Sequence, residues 1–489
     1  MVKNFVLKGN YNDSVVLMNA ANDVRKKFGS KDVSSVMATP QNLELLAGLG
    51  LLTDEGKKAS PADLIFAVKA QAPEEAQKMW ESFQEVLKKG ETVSKSEVSK
   101  SYAEVLKEDA ALVLISIPGR YVMSEAQRAL NAGKNVMIFS DNVSLEEEIK
   151  LKKFAASKKL LLMGPDCGTA IINGHGLGFA NVVRRGNIGI VGASGSGVQE
   201  VTTVIHKLGC GISHAVGVGG RDLKEDVGGI TAKAAMDFFE EDASTEVVVL
   251  ISKPPAGAVA DEIIQKAKNS RKKYVINFLT MELKDFANIK FASTLEDAAL
   301  SACRIVKKDA KIPEEPAELK KVSGFLRGLY SGGTLCYEAL YLLKDLEIYS
   351  NIATNKDLKM EDPFKSFKNC LIDMGEDEFT RGYPHPMMDF TLRRQRIVAE
   401  AGSGEAGVIL LDCALGWGCH SNPAEELSGA VEEARKINPE IVFISSITGT
   451  DGDPQNYGLQ KKILTDAGVL VFSTNRQAVT AAREAVFGK

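Results

Sequence analysis

Apolar positions along this chain alternate between short uninterrupted runs and segments where they recur every three or four residues. That is the pattern of buried parallel strands joined by amphipathic helices. It is clearest over residues 186 to 229. There Asn187-Ile-Gly-Ile-Val191 predicts a strand, Gly192-Ala-Ser-Gly-Ser-Gly197 a tight loop, and Val198 to Leu208 a helix. A second strand, Ile212 to Val218, ends in another small-residue loop, Gly219-Gly-Arg-Asp222. Two glycine loops at the carboxyl ends of neighbouring parallel strands, one opening a helix, make an anion or phosphate site.

The same alternation divides the rest of the chain. Residues 1–92 carry short strands (Phe5 to Leu7, Ser34 to Ala38, Asp63 to Val68) between helices, a small ferredoxin-like α/β domain without histidine or cysteine. A polar linker, Lys88 to Ser101, leads to a Rossmann-like, CoA-binding-type domain at 100–182, with strands at Ala111 to Ile117, Asn135 to Phe139 and Leu160 to Met163. Its first strand ends in Pro118-Gly-Arg120 and not in the Gly-x-Gly-x-x-Gly turn of dinucleotide binding. A glycine-rich loop, Gly164 to Gly178, carries Cys167 and His175. Residues 183–310 form a flavodoxin-like domain, and Lys307 to Lys321 reads as a solvated linker.

Beyond that linker the pattern repeats. Phe325 to Leu329 runs into Ser331-Gly-Gly-Thr334 and a helix, so Gly195-Ser196 with Glu200 matches Gly333-Thr334 with Glu338. Gly217 to Gly220 matches Leu371 to Gly375, Val247 to Ile251 matches Val408 to Leu411, and Tyr274 to Phe278 matches Ile441 to Ile444. Residues 322–489 are thus expected to be a second flavodoxin-like copy. Glycine beside a hydroxyl at a helix start lets backbone N–H groups approach an anion, aided by the helix dipole. A single such turn is explained by helix capping alone; its repetition predicts two helices that hold one phosphoryl group between them.

Composition narrows the partners. The 489 residues are 44% hydrophobic and 25% charged, with a formal net charge of -4. This excludes a phosphate-tracking nucleic-acid surface, and no apolar run approaches a membrane span. We therefore expect a cytoplasmic protein with no nucleic-acid or membrane partner. Its seven cysteines lack paired spacing and are expected to be reduced and mostly buried.

The stretch Gly189-Ile-Val-Gly-Ala-Ser-Gly-Ser196, with Gly164-Pro-Asp-Cys-Gly168 before it and Gly217-Val-Gly-Gly220 after it, resembles the ligase domain of the succinyl-CoA synthetase α subunit. The second copy, with Gly333-Thr-Leu-Cys-Tyr-Glu338, looks like the carboxy-terminal domain of the β subunit. The fused order and the stretch Asp373-Met-Gly-Glu-Asp-Glu-Phe-Thr-Arg-Gly-Tyr-Pro-His-Pro386 resemble the FdrA family of acyl-CoA synthetase-like proteins. That resemblance implies a subunit of oxamate carbamoyltransferase in purine and allantoin breakdown. The implied substrates are carbamoyl phosphate and oxamate, with other subunits of a transferase complex and self-association. The alternatives are an acyl-CoA synthetase-like ligase that borrows a nucleotide-binding partner, and a non-catalytic scaffold. The phosphohistidine motif of succinyl-CoA synthetases is missing, since Asn277 to Lys284 holds no histidine, and no ATP-grasp domain is present. No cofactor is certain; CoA is the one to consider, although its glycine loop is lacking.

The expected phosphate or substrate site comprises Ser194, Gly195, Ser196, Gly197, Gly220, Arg221, Gly332, Gly333, Thr334, Gly416, Trp417 and Gly418. The catalytic candidates are His385, held between two prolines, and Arg381, a fork for a carboxylate or phosphate. Cys413, Cys419 and His420 could suggest a thiol or metal site, but they lack a second ligand pair, and no metal is expected. The loop Thr448 to Pro454 could cap a phosphate or be an Asp/Gly turn. His206 and His214 read as packing residues.

Overall fold

The computed structural model describes residues 1–10, 12, 14–30, 32–91, 101–281, 284–313, 321–380 and 384–488. The chain divides into two compact units, Met1–Val105 and Leu106–Lys489. In the first, strands Val2–Leu7, Val33–Met37 and Leu64–Lys69 form an antiparallel sheet with Leu64–Lys69 in the middle. Alternate residues of a strand face opposite ways. Phe66 and Val68 accordingly pack with Leu17, Met79 and Phe83, whereas Ile65 and Ala67 pack with Leu46 and Leu51. These are three strands of a ferredoxin-like arrangement.

The second unit opens with a parallel sheet of Leu112–Ile115, Asn135–Ile138 and Leu162–Met163, the Rossmann-like part. Two larger sheets follow. In the first copy, parallel strands run in the order Ile289–Phe291, Lys273–Phe278, Val247–Ser252, Arg185–Gly192, Ile212–Gly217. In the second the order is Leu470–Phe472, Val442–Thr448, Ala406–Ala414, Phe325–Tyr330, Cys370–Asp373, with a short edge strand Tyr349–Ser350 beyond. With that edge strand left out of the numbering, both orders read 5-4-3-1-2, the flavodoxin-like arrangement, and both switch direction beside the first strand.

One segment differs from expectation. Much of the stretch read as a loop from Gly164 to Gly178 is a hairpin, Thr169–Ile172 with His175–Gly178, which adds to the first sheet in antiparallel sense. Asn173 and Gly174 both have positive φ, 51° and 83°, and Asn-Gly is the pair a two-residue hairpin turn favours. The helices Gly195–Lys207, Leu295–Val306, Gly333–Leu342 and Asn475–Phe487 share one core between the two sheets. Small residues on them, among them Ala298, Ala302, Ala339, Ala478 and Ala482, are fully buried there and let the helices pack closely. Residues 314–320 of the expected linker, and 92–100 of the earlier one, lie outside the described residues. Among the described residues no helix is long and apolar enough to cross a membrane.

Candidate functional site

The helices Gly195–Lys207 and Gly333–Leu342 begin at the ends of the first strands of their copies, and their starts touch. Ser194 caps its own helix, accepting from Gly197 N at 3.0 Å, and its hydroxyl bonds that of Thr334. Thr334 N donates to Ser196 Oγ at 3.2 Å. The approach is close: a Cβ on Gly332 would lie 2.9 Å from Ser196 Cβ, and one on Gly197 would lie 3.2 Å from Thr334 Cγ2. The structure thus brings Ser194, Gly195, Ser196, Gly197, Gly332, Gly333 and Thr334 to one place. The first N–H groups of an α-helix have no carbonyl within it to bond. Two such helix ends and three hydroxyls are the equipment to bind an anion.

The glutamates that mark the repeat are clasps between the copies. Glu200 accepts from Asn475 N at 2.9 Å, at the start of Asn475–Phe487, and from Thr448 Oγ1 at 2.6 Å. Glu338 accepts from Leu295 N at 2.6 Å, at the start of Leu295–Val306, and from Asn475 Nδ2 at 2.8 Å. Each copy therefore bonds the start of the other copy's last helix. Burial raises both carboxyls, Glu338 to about 8.

The loop Ser331 to Gly332 is set by a group the sequence did not single out. Asp412, fully buried, accepts from Ser331 N, Ser331 Oγ and Gly332 N at 2.8 to 2.9 Å, and pairs with the fully buried Arg393 at 2.6 Å. The backbone donors of Ser331 and Gly332 thus face Asp412, leaving Gly333 and Thr334 as the second copy's contribution.

His385 belongs beside the second loop. Its Nε2, Asp373 Oδ1 and Ser331 O all lie 3.1 to 3.2 Å from where a Cβ on Gly375 would sit. Nδ1 accepts from Met387 N at 3.2 Å, which leaves the proton on Nε2, and the ring packs on Phe179 at 5.4 Å. Lost hydration pushes this imidazole down to about 4, so it is neutral at physiological pH. Arg381 lies outside the described residues.

Other expected residues do structural work. Arg221 pairs with Glu148 at 2.8 Å and donates to Val143 O, and its neighbour Asp222 pairs with the buried Lys152 at 2.6 Å. This loop, with Gly220, fastens the first copy to the Rossmann-like part. Gly416, Trp417 and Gly418 form an inter-copy seam. Trp417 N donates to Ala180 O at 2.8 Å, and Gly416 and Gly418 take positive φ against Ala180 and Phe179. Asp453, in the loop Thr448 to Pro454, accepts from Asn181 Nδ2 and Val182 N at 2.7 Å, so it ties the copies together. His206 is more than packing, because its Nε2 meets Asp451 at 2.6 Å across the same seam; His214 Nδ1 accepts from Asn173 N of the hairpin. His420 Nδ1 accepts from Asn422 N, Cys413 is buried with its thiol pushed up to about 12, and all seven cysteines are free. Among the described residues no cluster of His, Cys, Asp or Glu is arranged for a metal.

Two residues near the cradle escaped the sequence reading. Asp373 Oδ2 presses on Gly333, and burial lifts this carboxyl to about 7. Lys253, in the loop after Val247–Ser252, sits over the Tyr337 ring at 5.8 Å. Asp373 lies in the motif quoted above; Lys253 carries no periodic or repeated signal.

Comparison with known proteins places this geometry. The protein YahF of Escherichia coli strain K12 is 38% identical over 505 residues, covering 99% of this chain and 98% of its own. The chain belongs to the YahF family. Family descriptions match along its length: a CoA-ligase domain over residues 329–485, a CoA-binding domain over 183–280, and the AllF heavy metal-associated domain over 1–103. The family is therefore acyl-CoA synthetase-like. The α subunit 1 of ADP-forming succinate-CoA ligase from Archaeoglobus fulgidus is 27% identical over 36% of this chain and 60% of its own length. The SauD subunit of ADP-forming sulfoacetate-CoA ligase from Bilophila wadsworthia is 26% identical over 38% of this chain and 64% of its own. The heavy metal-associated match contains neither cysteine nor histidine within residues 1–103.

CoA can be tested against the residues. At 118–120 they do not fit its phosphates: Pro118 has no N–H, and a Cβ on Gly119 would lie 2.2 Å from Asn142 O, so that glycine serves loop packing. At Gly192 to Gly197, within the CoA-binding match, glycines and two hydroxyls at a helix start do fit a phosphate.

Proposed function

We propose that this chain is an acyl-CoA synthetase-like enzyme that holds the phosphoryl group of an acyl phosphate between its two helix starts. The observation that carries the reading is the contact of Ser194 and Ser196 with Thr334 across the copies. Were CoA to bind, its thiol would supply the acyl acceptor while Ser194, Gly195 and Ser196 stay on the phosphoryl group. The chain's own residues orient the phosphoryl group, and neutral His385 donates from Nε2 toward a carbonyl oxygen.

The finer reading is carbamoyl transfer between carbamoyl phosphate and oxamate. It is supported by the lack of any histidine between residues 215 and 384. A substrate that arrives already phosphorylated needs neither a phosphohistidine nor a phosphorylating domain. The oxamate nitrogen would add to the carbamoyl carbon, the carbon–oxygen bond to phosphate would break, and the nitrogen's proton would leave with the phosphate.

Thermal unfolding of the full chain tests both readings. Inorganic phosphate and carbamoyl phosphate are expected to raise the melting temperature, and Ser194→Ala to weaken phosphate several-fold, about 1 kcal/mol for one hydrogen bond. A rise with CoA but not with carbamoyl phosphate selects the ligase reading. No rise with any of the three defeats the proposal.

A further inference from the structure

Interior cations of the second unit are matched. Lys152 pairs with Glu148 and Asp222, Arg393 with Asp412, and Arg327 with Glu400 and Glu405. Lys207 donates to Ile447 O and Ser473 O. Lys253 is the contrast. It is partly buried, and among the described residues its ammonium meets only the Tyr337 ring, at 5.8 Å, with no carboxylate or carbonyl bonded to it.

Its position is fixed. Pro254 and Pro255 follow it and limit the backbone. Ile251 O and Ser252 O accept from Ala193 N and Leu279 N. From this loop of the first copy the side chain reaches the second copy. Its charge acts on Asp166, Cys336 and Asp373, groups from three separate segments. Tyr337 lies one turn beyond Thr334 on the same helix, so Lys253 stands beside the helix that begins at the cradle. The cradle has its own donors in Ser194, Ser196 and Thr334, which leaves the Lys253 ammonium for a second anionic group. Burial lifts the nearby Asp373 carboxyl to about 7, so it repels an anion less than an ordinary aspartate would.

We infer that Lys253 anchors the carboxylate of a small acceptor acid beside the cradle. A lysine ammonium is a compact point charge suited to one carboxylate oxygen. The inference rests on the reading that the cradle takes the phosphoryl group, and it names the substrate class: an acid that keeps a free carboxylate while its other end reacts.

Calorimetric titration of the full chain with inorganic phosphate, then with oxamate and succinate in saturating phosphate, tests it. Wild type is expected to bind phosphate and at least one acid together. Lys253→Met should keep phosphate affinity within about twofold and lose acid affinity about tenfold or more, a tenfold loss being worth about 1.4 kcal/mol, with Lys253→Arg recovering part of it. Unchanged acid binding in Lys253→Met, no acid binding by wild type, or equal loss of phosphate and acid would each overturn the inference. Acid bound through Lys253 by a wild type that takes no phosphate would leave the inference standing and remove the cradle reading instead.

Discussion

In the first copy the cradle loop is held by its own cap, Ser194 to Gly197 N, and rests on the hairpin, where a Cβ on Gly195 would stand 3.3 Å from Thr169 Oγ1. In the second copy the matching loop has no side-chain cap, because Gly332 stands at that position, and it is gripped from below by Asp412 and Arg393. The topology is shared, but the support is not. The first loop bonds Ala193 N to Ile251 O of the neighbouring strand and Gly197 N to its own cap, whereas the second gives Ser331 N and Gly332 N to a buried carboxylate. One copy thus braces its loop with backbone and a hydroxyl cap, and the other with a buried ion pair beside Asp373 and His385.

Breaking that ion pair should have the largest effect. Arg393→Met leaves Asp412 charged and unpaired in the core, a change that costs roughly 3–5 kcal/mol. Denaturant unfolding should show it, and Arg393→Met with Asp412→Asn should recover much of the loss. If the single variant is as stable as wild type, the second loop is not held in this way.

A smaller effect separates the two glycines at equivalent positions. A Cβ on Gly333 would lie 2.3 Å from Asp373 Oδ2, backed by a packed strand end, while one on Gly195 would meet Thr169 Oγ1 at 3.3 Å, which a shift of a few tenths of an ångström relieves. Gly333→Ala is expected to destabilise by about 1–3 kcal/mol, the usual range for overpacking. Gly195→Ala should stay within about 1 kcal/mol of wild type, helped by alanine's helix preference. Equal costs would erase the distinction between the loops.

A third difference is a pH dependence. Glu338 is raised by burial from 4.5 to about 8, so its contribution to stability is present in acid and is lost as pH rises through about 8. His385 works in the opposite sense: it is pushed down to about 4, and its contribution is lost as pH falls from near 6.5 through 4. Melting temperature measured from pH 6 to 9 should fall in wild type and fall less in Glu338→Gln. An identical slope in both would show that Glu338 keeps its charge.

Much of this was legible in the chain. Apolar runs placed most of the strands because a parallel strand covered on both faces has no polar alternation. The repeat was readable because its markers, glycine, hydroxyl and glutamate, lie within one helical turn or two of each other. The hairpin was also written there, in Asn173-Gly174, but the surrounding glycines obscured it. Arg221 looked like a substrate ligand because it sits at a strand end. Its partner Glu148 lies on the helix Leu145–Ser157, and no local pattern reports that pairing.

By itself the sequence determined the two copies, most of their strands and the small hydroxyl-bearing turns, since these follow from periodicity and from what glycine permits. The tertiary structure decided which groups meet. Asp412 is 81 residues from Ser331 and 19 from Arg393, and Lys253 reaches a helix of the other copy. Such contacts depend on how two sheets stack their helices. Packing fixes that across the whole fold, and no single segment encodes it.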